Sequence, residues 1–279
     1  MNIIDSHVHY WDPKKLRYAW LEHIPALHRA FLTDHVPQTV NRARIDGIVF
    51  VQADCAAEQS LAEVKFVTAL AKKDARVRGI VAFAPLEDAK HLRAHLNALK
   101  KNPLVKGVRR LIQDEALGFC LTPHFIAGVQ SLAEYDFTFD LCIRHWQLPD
   151  AIQLVRACPQ VHFVLDHCGK PDIKNRLLRP WRTHISELAS LPNVQCKVSG
   201  LVTEADTEKW TRRNLQPYIE HVIKAFGSNR VMFGSDAPVA YLASTYERWI
   251  ETLQLATDDL TRGAKEKLWH ANAKNFYRL

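Results

Sequence analysis

Several patterns that mark common classes of protein are missing from this sequence. No apolar run approaches the roughly 18 residues that a membrane span requires, and the first residues lack the basic segment of a signal peptide. The six cysteines are scattered without a CxxC pair, which argues against a disulfide framework and against a zinc ribbon. We therefore expect a cytosolic (cytoplasmic) protein that has no contact with a membrane.

Two further absences narrow the possible ligands. No GxGxxG motif follows any predicted strand, which argues against a dinucleotide-binding open sheet. The net charge is +7, but basic pairs such as Lys14-Lys15 and Lys100-Lys101 are spread along the chain instead of forming one stripe with interleaved aromatic residues. We expect no nucleic-acid partner, whereas the positive charge is compatible with an anionic substrate or product.

What the sequence does contain is a regular alternation of strand and helix patterns. The β-rich runs are nearly continuous in apolar residues, as is typical of parallel strands covered on both faces. Eight strand-helix repeats predict an α/β fold, a (β/α)8 TIM barrel, with residues 1–279 as one domain. A doubly wound open sheet is the alternative. The predicted strands are 3–9, 47–52, 77–83, 105–109, 137–143, 161–166, 194–198 and 231–234.

The helical segments carry local signals at their ends. Thr122 and Ser244 stand where N-caps are expected, and Pro217 should kink or divide the helical segment 208–226. A loop of more than twenty residues separates the first strand from a helix that we predict to start near Pro37. Loops of this length inside a compact domain are commonly binding loops or lids, and a loop packed on the barrel rim is the alternative.

Polar side chains follow several of the predicted strands. His7 and His9 are one residue apart, so an extended strand points both to the same side. His167 follows the sixth strand and Asp236 follows the eighth, which lies next to the first when a barrel closes. In this fold the carboxyl ends of the strands form the active site. We therefore expect these four side chains to surround one point.

Alternation along the strands also predicts which neighbours share the inward face. On the first strand Ile3 and Asp5 should point inward with His7, with Asp5 low in the barrel as a structural residue. On the sixth strand Phe163 and Leu165 should fill the barrel beneath His167.

The four-residue cluster permits two kinds of chemistry. Imidazoles and a carboxylate around one point suit a divalent metal such as zinc, with a position left for water. They equally suit a site without metal, in which histidines polarise a carbonyl group and Asp236 takes a proton from water. Three further residues are candidates for substrate binding. Arg109 could bind oxygen atoms of the substrate, or it could form an ion pair below the rim of the barrel. His145, at the end of the fifth strand, could contact the substrate, and Trp20 could form an apolar wall.

The ordered set of motifs resembles the amidohydrolase superfamily. The set consists of HxH after the first strand, a histidine after the sixth, GSDAP after the eighth and WHANAKNFYRL near the end of the chain. The details DSHVHYWDP, VKGVRR and VLDHCGKP look like the branch that contains sugar-lactone hydrolases (fuconolactonases and rhamnonolactonases) and pyrone-dicarboxylate lactonases. The resemblance covers the whole chain.

The resemblance implies hydrolysis of a sugar-derived lactone, such as L-fuconolactone or L-rhamnonolactone, to the aldonic acid. It implies that His7, His9, His167 and Asp236 form the metal site and that Asp236 and His167 act in catalysis. Binuclear members of the superfamily carry a residue that bridges two metal ions where this chain has Arg109-Arg110, and a protonated arginine cannot bridge cations. We therefore expect one divalent metal ion or none. Zinc is the expected ion, and the enzyme could be active without it. The alternatives are a metal-dependent decarboxylase of the same superfamily and a barrel that only binds a metabolite.

Overall fold

The computed structural model describes residues 1–279, and its centre is a ring of eight parallel strands. Each strand is hydrogen-bonded to the next in the order β1-β3-β4-β5-β6-β7-β8-β9, and the short β2 pairs antiparallel with β3. The strands are β1 Asn2–Val8, β2 Thr39–Val40, β3 Ala43–Val51, β4 Val77–Ala82, β5 Val105–Val108, β6 Thr138–Leu141, β7 Phe163–Leu165, β8 Val194–Val198 and β9 Val231–Phe233.

The ring closes through backbone hydrogen bonds between β1 and the segment that follows β9. The N–H of Asp236 donates to the carbonyl of His7 at 2.9 Å, and the N–H of His9 donates to the carbonyl of Ala237 at 2.8 Å. The predicted (β/α)8 barrel is thereby confirmed, and all eight predicted barrel strands are present. Closure is also what brings Asp236 beside the two histidines of the first strand.

Helices surround the ring, and their bounds correct two of our predictions. The helix after β9 begins one residue later than expected, because Thr245 and not Ser244 is its N-cap and accepts from the N–H of Arg248 at 3.1 Å. Pro217 does not divide the helix that contains it, since this helix starts at Arg212 and continues to Phe226, and the alternative of a kink stays a prediction. Every helix is too short or too polar to cross a bilayer. The helices are α1 Ser60–Ala71, α2 Leu92–Lys100, α3 Pro123–Ser131, α4 Leu148–Ala157, α5 Trp181–Ala189, α6 Arg212–Phe226, α7 Tyr246–Ala256, α8 Arg262–Glu266 and α9 Asn272–Tyr277.

The segment between β1 and β3 contains no α-helix, so the predicted helix near Pro37 is wrong. Instead β2 forms a hairpin with β3, and both residues of its two-residue turn, Asn41 and Arg42, have the left-handed backbone that such a turn requires. The long loop before it packs through its own buried cluster, which includes Trp11, Tyr18 and Phe31. Two short 3-10 helices, Ala19–His23 and Thr33–His35, lie within this loop.

A separate apolar cluster closes the lower end of the barrel, and we call it the floor. Side chains from five strands meet the C-terminal helix there, so the end of the chain covers the amino ends of the strands. The floor consists of Ile4, Val49, Val51, Val81, Val164, Met232, Ala273, Phe276 and Tyr277.

The floor shows that two predictions of side-chain direction are wrong. On β1 an extra residue between Asp5 and Val8 shifts the register against β3, so Ile4 points inward while Asp5 points outward to the hydroxyl of Tyr246 at 2.9 Å. On β7 the inward residue is Val164, whereas Phe163 and Leu165 belong to the large cluster between strands and helices. Alternation fails here because His167 lies beyond the strand, in left-handed backbone.

Candidate active site

The structure brings the four residues of the predicted cluster together at the carboxyl end of the barrel. The Nε2 atoms of the three histidines all face one oxygen, Oδ1 of Asp236. The distances are 3.3 Å for His9, 3.7 Å for His7 and 3.8 Å for His167. All four side chains are almost completely withdrawn from solvent.

Unusual backbone aims two of these side chains. His167 has φ 53° and Asp236 has φ 61°, a left-handed region that is unfavourable for residues with a Cβ atom. Such strain persists where the surrounding structure holds it, and it is common at active sites. Gly200 makes room for His167, because a Cβ atom at this position would lie 2.4 Å from the ring atom Nδ1 of His167. We expect any larger residue at position 200 to displace the histidine.

The second nitrogen of each histidine ring has a different partner, and the partner decides what Nε2 can do. Nδ1 of His9 lies 2.7 Å from the carbonyl of Val51, which can only accept, so Nδ1 carries the hydrogen. Nδ1 of His167 lies 2.9 Å from the hydroxyl of Ser199, which can donate or accept. Nδ1 of His7 lies 3.2 Å from the ammonium group of Lys197.

The contact between His9 and Asp236 supports a bound cation. Because Nδ1 of His9 carries the hydrogen, Nε2 of the neutral ring presents a lone pair to the carboxylate oxygen 3.3 Å away. Two lone pairs at this distance repel each other unless a proton or a metal ion lies between them. The atoms of His7, His9 and Asp236 that could bind a zinc ion lie within 4.8 Å of one another, and so do those of His7, Asp166 and His167. Both ring nitrogens of His7 also lie near a cation, Lys197 at 3.2 Å and Arg109 at 3.4 Å.

Burial and neighbouring charges determine the protonation states of Asp236 and of two of the histidines. Burial alone would raise the pKa of Asp236, but neighbouring groups that include Lys170 hold it below its ordinary value. Burial lowers the pKa of His7 and of His167 well below the usual range for histidine. At neutral pH the site therefore presents an ionised carboxylate to two uncharged imidazoles.

A layer of buried charges lies between this cluster and the floor. Asp166 lies 3.4 Å from Arg109 and 3.1 Å from Lys197, and Asp140 forms a second ion pair with Lys197 at 2.5 Å. Two cations and two carboxylates balance in this layer, as buried charges require. We call it the charge layer; it consists of Arg109, Asp140, Asp166 and Lys197.

The charge layer shows what the sequence-based prediction missed. Lysine 197 is completely buried, although lysines usually extend their ammonium groups to solvent, and Asp140 and Asp166 received no functional role. A signal was present in the sequence: FTFDLCI and VQCKVSG each place one charged residue inside an apolar strand. Opposite charges within two buried strands of one sheet indicate a pair.

A cavity of about 260 Å³ opens above the cluster and is large enough for a small ligand. It is lined by His9, His167 and Asp236, and also by Trp20 and Arg109, whose role in substrate binding stays a prediction. The indole N–H of Trp20 donates to the carbonyl of Ala53 at 2.8 Å, which fixes this part of the long loop over the cavity. His7 does not line the cavity and lies beneath it.

His145 lies elsewhere. It lines an adjoining cleft of about 430 Å³, where its Nδ1 is 3.1 Å from the carbonyl of Lys170, and Trp146 shares this cleft. Only Lys170 and Thr203 line both the cavity and the cleft. A role for His145 in substrate binding stays a prediction.

Comparisons with known proteins agree with this arrangement. Residues 4–279 match the amidohydrolase family. An L-fucono-1,5-lactonase of Burkholderia multivorans is 34% identical over 99% of this chain and 96% of its own length, and one of Burkholderia ambifaria is 28% identical over 99% and 95%. A solved structure of an amidohydrolase from Burkholderia multivorans with bound zinc superposes with a TM-score of 0.88 at 30% identity, over 100% of both chains. The chain belongs to the amidohydrolase family.

Proposed function

We propose that the protein is a lactonase, which hydrolyses a sugar-derived lactone such as L-fuconolactone or L-rhamnonolactone to the aldonic acid. The observation that carries the proposal is a buried carboxylate, Asp236, which faces three histidines at the base of a cavity of about 260 Å³. The L-fucono-1,5-lactonases among the relatives support this substrate class.

Asp236 is the proposed general base. Its carboxylate takes one proton from a water molecule as the water oxygen attacks the carbonyl carbon of the lactone. When the tetrahedral intermediate collapses, the bond to the ring oxygen breaks and Asp236 returns the proton to that oxygen. The lactone and one water molecule give the open hydroxy acid, and the enzyme regains its original charge.

His167 and Arg109 are the proposed donors to the developing oxyanion. If the hydroxyl of Ser199 donates to Nδ1 of His167, the Nε2 atom of His167 carries a hydrogen that can face the cavity. Arg109 adds a positive charge at the same wall, and its Nε atom has no protein partner. Donors that are positioned before the reaction commonly supply the largest part of such catalysis. Trp20 would form an apolar wall for the sugar ring.

One divalent metal ion, with zinc the expected one, could be held by His7, His9 and Asp236, with His167 as a fourth candidate. A bound zinc would supply a Lewis acid and lower the pKa of a bound water molecule. The steps above use only the protein's own groups, so we propose that the metal is dispensable. The scattered cysteines are the basis for a cytosolic location, which likewise stays a prediction.

The proposal is tested by measuring acid release from a panel of fucono-, rhamnono-, galactono- and arabinono-lactones with a pH indicator. Asp236→Asn should lower kcat by about 1000-fold or more, since the amide cannot accept the proton. Asp114→Asn is the matched control, because Asp114 lines the same cavity but contacts Gln113 and Arg144 instead of the histidines. No hydrolysis of any lactone by the wild type, with zinc supplied, would refute the proposal.

A chelator decides the question of the metal in the same assay. Unchanged kcat after chelation, with zinc content measured before and after, would support a dispensable metal. Loss of activity that added zinc restores would show that the metal is required.

A further inference from the structure

Asp54 differs from the other charged residues that line the cavity, because its side chain has no partner within the chain. The cavity has five charged residues in its wall: Asp54, Arg109, Asp114, Lys170 and Asp236. Asp236 faces the histidines, and the other three each form a hydrogen bond with a neighbouring side chain. Asp54 is engaged through its backbone N–H, whereas its carboxylate forms neither a hydrogen bond nor an ion pair with the protein. This carboxylate is therefore available to a ligand.

The segment that carries Asp54 is fixed from two sides. The N–H of Asp54 donates to the side-chain oxygen Oε1 of Gln52 at 2.6 Å. The N–H of Ala53 donates to Glu63 on α1 at 3.1 Å, and the carbonyl of Ala53 accepts from the indole N–H of Trp20 at 2.8 Å. These bonds tie the segment to a helix and to the long loop. Asp54 thus stands on a rigid wall of the cavity, as precise binding of a ligand requires.

The backbone of Asp54 indicates that the fold itself does not need this side chain. Its φ of 58° lies in the left-handed region, which glycine adopts most readily and aspartate tolerates better than most other residues. A side chain without a contact in the protein adds no stability that glycine would lack here. Left-handed residues that are held by their surroundings are common where a protein clamps a ligand. The carboxylate therefore points to a role in binding.

The charges in the cavity wall indicate the class of ligand. An ionised carboxylate can only accept hydrogen bonds, and its two oxygens can accept from two neighbouring hydroxyl groups. A cationic ligand would meet the positive charges of Arg109 and Lys170, and an anionic ligand would meet Asp54, Asp114 and Asp236. A neutral ligand that is rich in hydroxyl groups avoids both conflicts and supplies the donors that Asp54 lacks.

We propose that Asp54 is a specificity-determining residue, whose carboxylate accepts hydrogen bonds from hydroxyl groups of a neutral sugar lactone while the lactone carbonyl lies at Asp236. The cavity then favours lactones that carry a hydroxyl group within reach of Asp54 over lactones that lack it. This proposal rests on the proposed function and names the part of the substrate that the site recognises.

Two variants of Asp54 separate the loss of the carboxylate from a change in the backbone. Asp54→Gly removes the side chain and permits the left-handed backbone, so this variant should fold. Asp54→Asn keeps the size of the side chain and removes its negative charge. Asp114→Asn is the matched control, because the carboxylate of Asp114 already contacts Gln113 and Arg144. Thermal unfolding establishes that each variant is folded.

The first readout is steady-state kinetics with the best lactone of the panel and with its deoxy analogues, each of which lacks one hydroxyl group. In Asp54→Gly, KM should rise about 10- to 100-fold, as expected for lost hydrogen bonds to a charged group, and kcat should change little because Asp236 is intact. Asp54→Asn should give an intermediate KM, and Asp114→Asn should leave KM unchanged.

The deoxy analogues test whether the lost contact is the one proposed. For the wild type, one analogue should show the same rise in KM, and Asp54→Gly should no longer distinguish this analogue from the parent lactone. An unchanged KM in folded Asp54→Gly would overturn the proposal. Equal discrimination of the analogues by the wild type and by Asp54→Gly would also overturn it.

The second readout does not depend on turnover. It is the affinity for a sugar lactam, in which an N–H group replaces the ring oxygen of the lactone, measured by calorimetry. Asp54→Gly should bind the lactam about 10- to 100-fold more weakly than the wild type. Lactam binding that depends on Asp54, in a wild type that hydrolyses no lactone, would refute the proposed function alone. Equal affinity in the two proteins, or no binding by the wild type, would refute the role of Asp54.

Discussion

The two ends of the barrel interior are equally buried but follow opposite rules. The floor is almost entirely apolar, whereas the charge layer and the histidine cluster above it are polar at nearly every position. Along β7 the change from apolar to charged side chains occurs within two residues, from Val164 in the strand to Asp166 directly after it. The floor needs only volume and shape, since burial of apolar surface has no direction. The upper end is stable only because each charge has a partner at a defined distance.

Placing a carboxylate in the floor should have the largest effect on stability among the changes that test this comparison. Val164→Asp puts a charge two residues below Asp166 on the same face, where the neighbours in the floor are apolar. We expect a loss of about 5 kcal/mol in the free energy of unfolding, or failure to fold, because the charge has no partner. Urea unfolding measures the effect. Val164→Ala is the control and should lose about 2 kcal/mol from the cavity alone; equal losses in the two variants would refute the comparison.

A second test concerns a buried carboxylate near the upper end that has no cation beside it. Burial raises the pKa of Glu63 from its ordinary 4.5 to about 7, although it accepts from the N–H of Ala53 at 3.1 Å and from the hydroxyl of Tyr18 at 3.3 Å. A raised folded-state pKa means that ionisation opposes folding, so this contribution to stability is lost as pH rises from about 4.5 through about 7.

Glu63→Gln should remove this dependence. From pH 4.5 to 8, the free energy of unfolding of the variant should rise relative to the wild type by up to about 3 kcal/mol, since each pH unit between the two pKa values corresponds to about 1.4 kcal/mol. Denaturant unfolding at several pH values gives the difference. Glu58→Gln, at an exposed carboxylate nearby that pairs with Arg17, should show no such rise, because the pKa of Glu58 is lowered and not raised. Parallel curves for Glu63→Gln and the wild type would disprove the assignment.

The smallest predicted effects separate the cavity from the adjoining cleft. Trp20→Ala should raise KM about 10-fold, or about 1.4 kcal/mol, because it removes an apolar wall of the cavity. His145→Ala should change KM less than about 3-fold, since its ring lines the cleft. Steady-state kinetics on a single lactone compares the two variants. A larger effect at His145 would place the substrate across both spaces.

Much of the fold and of the site could be predicted from the chain alone. The eight apolar runs predicted the barrel because parallel strands covered on both faces have no polar side, and the strand ends predicted the positions of His7, His9, His167 and Asp236. The directions of Asp5, Phe163 and Leu165 could not be predicted. A bulge in β1 and the left-handed turn at His167 break the two-residue alternation, and each depends on contacts that are distant along the chain.

The sequence by itself determined the architecture and the set of polar side chains at the strand ends, because both follow from local patterns. Apolar runs of strand length set the barrel, and polar residues at the strand ends set the chemistry. Only the tertiary structure decided how these side chains are held. Lys197 meets His7, Asp140 and Asp166, and these four residues stand on four different strands or strand ends. The task of each imidazole thus depends on which group faces its second nitrogen, and no local pattern encodes a contact across the barrel.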